Sequence, residues 1–454
     1  MDTTAITFTS CYFPLPASSP AATVSMRKIF DSGTDAKSIR HVYSCFHIVS
    51  KADRERKMEF SLSPFRGPCY DRNHRKKLYF IHWKGSILLS SQHTDDRPAK
   101  SKKIHIEFLR ILCIWLVMFT HSSTSGFSLY LAQQTSPWFP LYLLVPFWVK
   151  TAVPIFFMVS GALLLGKDEP ISVIFRKRIS RFVQVILVFS LINYIFFYAV
   201  PEHHFSLLRY LSITYTSNMA TAYYFLYIYV SFLLMLPLWR AMVRNLTNTH
   251  YLYLIGLNLF FVGFIPVFSF LLFRGQAEMN GFLNPLLAIS EPSFYFIIGY
   301  WMENVLPDSW ITKRNLCRLG LAAAAGTVIA AVMTWFYGYT AGGLTETISQ
   351  RFYDSFLFLN TAFLYCFCRY WFHHHEVSDT WKRRLIFLGG LSFGVMLFEE
   401  ITRAVTHRLL TQVLLVHVPG FPFLDAVVWI TTAFALGVLM TWLIKKIPYF
   451  KKLI

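Results

Sequence analysis

The sequence is poor in charged residues. Only 15% of its 454 residues are Asp, Glu, Lys or Arg, whereas 55% are hydrophobic and 18% are aromatic. A soluble domain has about a quarter of its residues charged and somewhat under half apolar. The composition therefore excludes an ordinary soluble enzyme. The apolar residues are concentrated beyond residue 103, which predicts an integral membrane domain over residues 104–454.

Cysteines are few and lack the spacing of ligands. Among the seven, Cys366 and Cys368 are separated by a single residue, which is not the C-x-x-C pattern of redox or zinc sites. The consecutive histidines His373, His374 and His375 project in different directions on a helix, so they do not predict a metal site. We expect no disulfide, no metal and no permanently bound cofactor.

Acidic residues are scarce relative to basic ones. The chain has 24 Asp and Glu against 43 Lys and Arg, a net charge of +19. A nucleic-acid-binding surface usually shows a basic stripe interleaved with exposed aromatic residues, and this sequence has none. In membrane proteins, excess Lys and Arg marks cytoplasmic loops and contact with anionic lipid. The expected partner is therefore membrane lipid and not nucleic acid.

Residues 1–103 differ from the rest of the chain. They carry 18 basic and 9 acidic residues, and residues 1–25 lack the basic start and long apolar run of a signal peptide. We expect a basic N-terminal extension that is either disordered or a misassigned upstream start. No residue in it predicts chemistry.

Beyond residue 103, long apolar runs predict an all-α fold. A membrane-spanning helix needs about 20 mostly apolar residues. Ten stretches qualify: 106–131, 143–165, 182–200, 221–240, 251–273, 284–305, 316–338, 352–372, 385–406 and 424–444. With a cytoplasmic N-terminus, the inside ends hold 18 basic residues and the outside ends hold six. The positive-inside rule then predicts that both termini are cytoplasmic.

The first span contains three ionisable residues, Glu107, Arg110 and His121. Charged groups within a span are costly and are functional candidates by default. Eleven positions separate Arg110 from His121, about 20° beyond three turns, so both side chains share a face about 16 Å apart along the axis. Glu107, one turn earlier, can pair with Arg110. The alternative is that Glu107 and Arg110 are interfacial anchors and His121 only bonds another helix.

An Arg, ten residues and a His in the first span resembles the signature of the membrane acyltransferase 3 family. The later stretches that support the resemblance are VPIFFMVSGALLL (153–165), FRKRISR (175–181), YFLYIYVSFLLMLPL (224–238), FYFIIGYWM (294–302), LSFGVMLF (391–398) and PFLDAVVW (422–429). The resemblance covers nearly all of 104–454 and none of 1–103. Within the family, the chain resembles the single-domain bacterial proteins that O-acetylate cell-surface polysaccharide, such as those acting on enterobacterial common antigen.

The resemblance implies a multi-pass enzyme of the bacterial inner membrane. Such proteins take an acyl group, usually acetyl, from cytoplasmic acyl-CoA and pass it to a hydroxyl of a glycan or lipid-linked sugar at the outer face. His121 matches the family's essential histidine and suits a general base or a nucleophile. Arg110 matches the essential arginine and would steady either the coenzyme A phosphates or the tetrahedral oxyanion, with Glu107 beside it in the predicted catalytic group. The structural expectation is a cavity running inward from the cytoplasmic arginines to His121.

The basic loop before the third span supplies the predicted acyl-CoA site. Arg176, Arg178 and Arg181 have planar guanidinium groups that suit phosphate, so we assign them to the nucleotide end of coenzyme A. The alternative is that they determine topology and contact lipid headgroups.

The ninth span departs from the family pattern. Many relatives read S-x-G-I-Y-L-x-H there, whereas this chain has Glu399 at the histidine position, followed by Glu400 and Arg403. Buried carboxylates must pair or face a wet cavity. We predict that Glu399, Glu400 and Lys150 bind the acceptor. Two alternatives stay open: pairing of Glu399 with Arg403, and a role for Lys150 as an interfacial anchor.

Two other functions compete with O-acyl transfer. A transporter or flippase for an anionic sugar or small metabolite would also use buried charges, although the two halves show no obvious repeat. A lipid-acylating membrane acyltransferase would pair its histidine with an asparagine or aspartate elsewhere, and no stretch matches that pattern.

Overall fold

The computed structural model describes residues 103–413 and 421–454, so residues 1–102 of the predicted N-terminal extension lie outside the described part. The described residues form helices and connecting turns, with no strand, which confirms the all-α prediction. The long helices are α1 Ile104–Thr120, α2 Phe139–Leu164, α3 Ile171–Glu202, α4 Thr221–Asn245, α5 Asn248–Phe273, α6 Glu291–Tyr300, α7 Lys313–Thr340, α8 Leu357–His374, α9 Asp379–Thr411 and α10 Pro422–Ile444. Shorter helices are Leu129–Ala132, Leu207–Thr216, Glu346–Gln350 and Pro448–Leu453.

Seven of these helices are long and apolar enough to cross a membrane: α2, α3, α4, α5, α7, α9 and α10. Each of the other three predicted spans overlaps a helix that is shorter or more polar. Helix α1 has 17 residues, α6 has 10 before it widens into a π-helical turn at Trp301–Val305, and α8 ends in two histidines. The ten-span topology and the orientation of the termini therefore stay predictions.

Helix boundaries follow local chemistry. Thr247 and His250 form a capping box at the start of α5, and the Thr312 side chain accepts from the Asn315 backbone N–H at the start of α7. Both satisfy donors that the first helical turn leaves free. Helix α2 is interrupted between Val149 and Ala152, just before a proline, Pro154, which has no N–H to donate to the carbonyl four residues earlier.

Helix α1 is the centre of the bundle. It packs against α2, α8, α9 and α10, and residues such as Leu109, Cys113 and Met118 are completely buried. Polar groups on α1 therefore face other helices, where an unpaired charge would be costly.

The α2–α6 contact depends on two glycines. A Cβ at Gly161 would lie 1.7 Å from the backbone oxygen of Phe296, and one at Gly299 would lie 2.1 Å from that of Met158. Small residues allow this close approach of two backbones, as in other membrane helix pairs. The contact holds α2 directly against α6.

Candidate functional site

Glu107 and Arg110 form an ion pair near the start of α1. Arg110 Nη1 donates to Glu107 Oε2 at 3.3 Å, with Glu107 buried and the Arg110 side chain 27% exposed. This confirms the predicted pairing. The carboxylate lies against Gly389 of α9, where a Cβ would come within 2.2 Å of Oε2. The first charged pair of the predicted site is thus enclosed between α1 and α9.

His121 lies at the other end of α1 and faces the same neighbour. Its Nδ1 lies 3.0 Å from Oε1 of Glu399 on α9, and its side chain is 13% exposed. A carboxylate oxygen is an acceptor, so this contact places the imidazole proton on Nδ1 and leaves the lone pair on Nε2. The nitrogen that can receive a proton is therefore Nε2.

Glu399 is the centre of a three-residue network. It is completely buried, and Arg403, one turn later, donates from Nε to Oε1 at 2.8 Å. Arg403 Nη1 also donates to the backbone oxygen of His121 at 2.9 Å. The predicted alternative of a Glu399–Arg403 pair is confirmed. A base held by a carboxylate that a third group orients is the usual arrangement for activating a hydroxyl.

Glu400 and Lys150, the other two residues predicted to bind the acceptor, contact different partners. Glu400 Oε2 accepts from the backbone N–H of Thr221 at 2.7 Å, at the start of α4. Lys150 pairs with Asp354 at 3.3 Å and lies 5.0 Å from the ring centroid of Tyr353. The structure therefore does not join Lys150, Glu399 and Glu400 in one contact. Their assignment to acceptor binding stays a prediction.

Arg178, from the predicted acyl-CoA group, is held by a carboxylate in the loop before α3. It donates to Glu169 from Nε at 3.0 Å and from Nη2 at 2.6 Å. The buried Arg240 of α4 donates to the same carboxylate at 3.0 Å. The hydrogen bonds from Arg178 and then Arg240 outweigh partial burial and lower the pKa of Glu169 to about 2. A phosphate would have to compete with this anion for Arg178.

Arg181 and Arg176 have different surroundings. Arg181 donates to the backbone oxygens of Leu453 and Ile454 at 2.9 and 3.0 Å. Arg176 is exposed. The three guanidinium groups predicted to bind phosphate therefore differ in their partners: Arg178 binds a carboxylate, Arg181 binds backbone oxygens and Arg176 is exposed.

Tyr229 of α4 could not be singled out from the sequence. Its ring stacks on Phe182 of α3, with centroids 4.4 Å apart. Phe182 follows Arg181 in the chain, so the contact packs this part of α3 against α4. A tyrosine within an apolar run gives no sign of such a contact.

A second polar cluster, also missed, lies at the start of α1. Glu303 accepts from Lys103 at 2.5 Å and from Tyr365 at 2.7 Å, and it contacts His105 Nε2 at 3.1 Å. A cavity of about 290 Å³ opens beside it, and another of about 290 Å³ lies beyond His121. Neither is lined by His121 or the arginines of 176–181, so neither is the predicted continuous passage.

The apolar helices and the His121–Glu399 contact inside the bundle indicate a multi-pass helical membrane protein. A profile of the acyltransferase domain family matches residues 104–446. The chain therefore belongs to the membrane acyltransferase 3 family, and the protein is an acyltransferase. No curated protein and no solved structure matches it significantly.

Proposed function

We propose that the protein transfers an acyl group, in the first instance acetyl, from cytoplasmic acyl-CoA to a hydroxyl of a cell-surface glycan or lipid-linked sugar at the outer face of the bacterial inner membrane. The observation that carries this proposal is the Nδ1 contact of His121 with Glu399, which leaves Nε2 as a base. Family membership supplies the acyl-transfer class. The protein is thus proposed to be an O-acyltransferase.

His121 takes the acceptor proton in this reaction. As the hydroxyl oxygen attacks the thioester carbonyl, Nε2 accepts its proton, the new C–O bond forms and the C–S bond breaks. The imidazolium then returns the proton to the departing thiolate of coenzyme A. Glu399 stabilises the imidazolium, and Arg403 holds Glu399 in place. Atoms and charge balance without a metal or a redox partner.

The donor is proposed to extend from the arginine cluster to His121. Arg110 lies about 16 Å from His121 along α1, three turns away, so it does not reach the reacting carbonyl at His121. Family membership supports a role for Arg110 in holding coenzyme A phosphates instead. The pantetheine arm would then cover the distance to His121.

The test is acetyl transfer by purified protein in lipid nanodiscs. Wild type, His121→Ala and the matched control His204→Ala, an exposed histidine after α3, receive radiolabelled acetyl-CoA and glycan acceptors. We expect label in the glycan with wild type and the control, and a loss of at least a hundredfold in His121→Ala. Equal labelling by all three would exclude His121. Absence of coenzyme A release by folded wild type would reject acyl transfer and favour transport.

A further inference from the structure

The connection between α3 and α4 contains a helix that is too short to cross a membrane. Helix α3 ends at Glu202 and α4 begins at Thr221, and both are long and apolar enough to cross, so residues 203–220 connect them at one membrane face. The helix Leu207–Thr216, here called the connecting helix, has 10 residues. At 1.5 Å per residue it is about 15 Å long, half of the hydrocarbon thickness.

The connecting helix has three distinct faces, which follow from a rotation of about 100° per residue. Its exposed apolar side chains share one arc of about 100° and form the apolar face: Leu207, Leu208, Leu211 and Tyr215. Its exposed polar side chains occupy the next arc and form the polar face: Arg209, Ser212 and Thr216. The buried and half-buried side chains occupy the third arc: Tyr210, Ile213 and Thr214. The helix therefore meets three different surroundings.

The buried face is fixed to both neighbouring spans. The Tyr210 hydroxyl donates to the backbone oxygen of Leu187 in α3 at 2.8 Å. The Thr214 backbone oxygen accepts from the hydroxyl of Tyr227 in α4 at 2.6 Å. Because these contacts hold the helix from one side, its apolar face is directed away from the bundle.

No residue in the described part of the chain covers the apolar face. Leu208 is 82% exposed and Tyr215 is 91% exposed. Other exposed apolar residues come just before the helix, Val200 at the end of α3 and Phe205 in the turn. Such a surface is unfavourable in water. Since α3 is itself lipid-facing in a membrane, the lipid around it can cover the apolar face without a further partner.

The charge of the connecting helix is already neutralised. Arg209 is the one charged residue of its sequence, and it pairs with Glu202 at 2.5 Å and lies 5.1 Å from the ring centroid of Tyr198. Basic side chains with a long stem and tyrosines are both typical of the membrane–water boundary. The helix therefore offers lipid an apolar surface and not an unpaired positive charge.

We propose that the connecting helix is a membrane-surface element whose apolar face contacts the acyl chains of the adjacent leaflet. Its polar face then lies toward water and the headgroups. Helices of this kind insert their apolar side about 5–10 Å into the boundary between headgroups and acyl chains. The partner is the apolar part of the lipid, so anionic headgroups are not required.

The experiment places a nitroxide label on two adjacent exposed positions in separate proteins. Leu211→Cys labels the apolar face, and Ser212→Cys is its matched control on the polar face, about 100° away. The three buried cysteines stay. The exposed cysteine and those outside the described residues are first replaced with serine: Cys317, Cys11, Cys45 and Cys69.

Each full-length labelled protein is placed in phosphatidylcholine nanodiscs, and electron paramagnetic resonance measures how well oxygen and a water-soluble nickel chelate reach the label. Oxygen concentrates among acyl chains, whereas the chelate stays in water. We expect oxygen to dominate for Leu211→Cys, at a depth of about 5–10 Å, and the chelate to dominate for Ser212→Cys. Leu208→Cys and Thr216→Cys provide an independent second pair, which should repeat this reversal.

Three results would overturn the proposal. Dominance of the chelate at all four positions would place the helix in water. Exclusion of both reagents from Leu211 and Leu208 would show that protein, such as a second copy of the chain, covers the apolar face. Insertion only after anionic lipid is added would replace the apolar contact with an electrostatic one. None of these measurements uses acetyl transfer, so the proposed function is tested separately.

Discussion

His121 and Glu399 are 278 positions apart in the chain, and their side chains meet at 3.0 Å between Nδ1 and Oε1. The contact joins the end of α1 to the middle of α9. It gives the imidazole a defined tautomer and gives a completely buried carboxylate a partner. Both consequences can be tested by changing the carboxylate alone.

Replacement of Glu399 should impair chemistry more than donor binding. In Glu399→Gln, the amide still fits the space but carries no negative charge to stabilise the imidazolium. We expect kcat for acetyl transfer to fall about a hundredfold or more, with the KM for acetyl-CoA changed less than threefold. Glu399→Asp should recover part of the loss. Steady-state rates in nanodiscs measure both, and a wild-type kcat for Glu399→Gln would contradict a positioning role.

Loss of Arg403 should affect stability as well as rate. Its removal leaves Glu399 with one partner and frees the His121 backbone oxygen. Removing one member of a buried ion pair costs about 3–5 kcal/mol, so Arg403→Ala should unfold at a clearly lower temperature. Arg408→Ala, an exposed arginine further along α9, is the control and should change the melting temperature little. Thermal unfolding in detergent by tryptophan fluorescence is the measurement.

The Glu169 cluster predicts an acid-sensitive loop. Arg178 and then Arg240 lower the pKa of Glu169 from 4.5 to about 2. The stabilisation is complete above pH 4.5 and is lost as the pH falls from 4.5 toward 2. We expect it to contribute about 1–2 kcal/mol, since solvent screens a group near the surface.

The measurement for Glu169 is melting temperature against pH. Glu169→Gln should lower stability at pH 7 and flatten the profile between pH 4.5 and 2. Asp168→Asn, which removes an exposed pair with Arg244, should leave the profile close to that of wild type. Parallel profiles for wild type and Glu169→Gln would show that the cluster does not titrate as described.

The glycines of α2 and α5 should differ sharply in tolerance. A Cβ at Gly161 would collide with the backbone oxygen of Phe296 at 1.7 Å, whereas one at Gly256 would meet nothing within 4 Å. Gly161→Ala should therefore separate α2 from α6 and greatly reduce the yield of folded protein. Gly256→Ala should be neutral or stabilising by up to about 1 kcal/mol, because alanine favours helix. Gel-filtration yield and melting temperature would distinguish them.

Contacts within one helix could be predicted from the sequence, because they depend only on helical spacing. Glu107 with Arg110 and Glu399 with Arg403 are three and four residues apart, so a helix places them side by side. The apolar runs also predicted the seven long apolar helices, but the first predicted span, 106–131, continues past the end of α1 at Thr120. Their exact ends depended on caps and on the interruption before Pro154.

Contacts between helices could not be predicted from the sequence in the same way. Nothing in the sequence specifies which helix packs beside α1, so the meeting of His121 with Glu399 could be stated only as a need for some partner. Similarly, the basic segment gave no sign that Arg178 already binds Glu169. Tyr229 is one of several tyrosines in its apolar run, and only tertiary packing places its ring against Phe182.

The contact between Gly389 and Glu107 means that the side chains at these two positions, far apart in the sequence, share one limited space. Any side chain at 389 would occupy the space of the Glu107 carboxylate and would therefore release Arg110 from its partner. Related sequences that carry a larger residue at 389 should also carry a shorter one at 107. The size of the residue at position 107 on the first helix therefore limits the size of the residue that position 389 on the ninth helix can hold, and the reverse is also true.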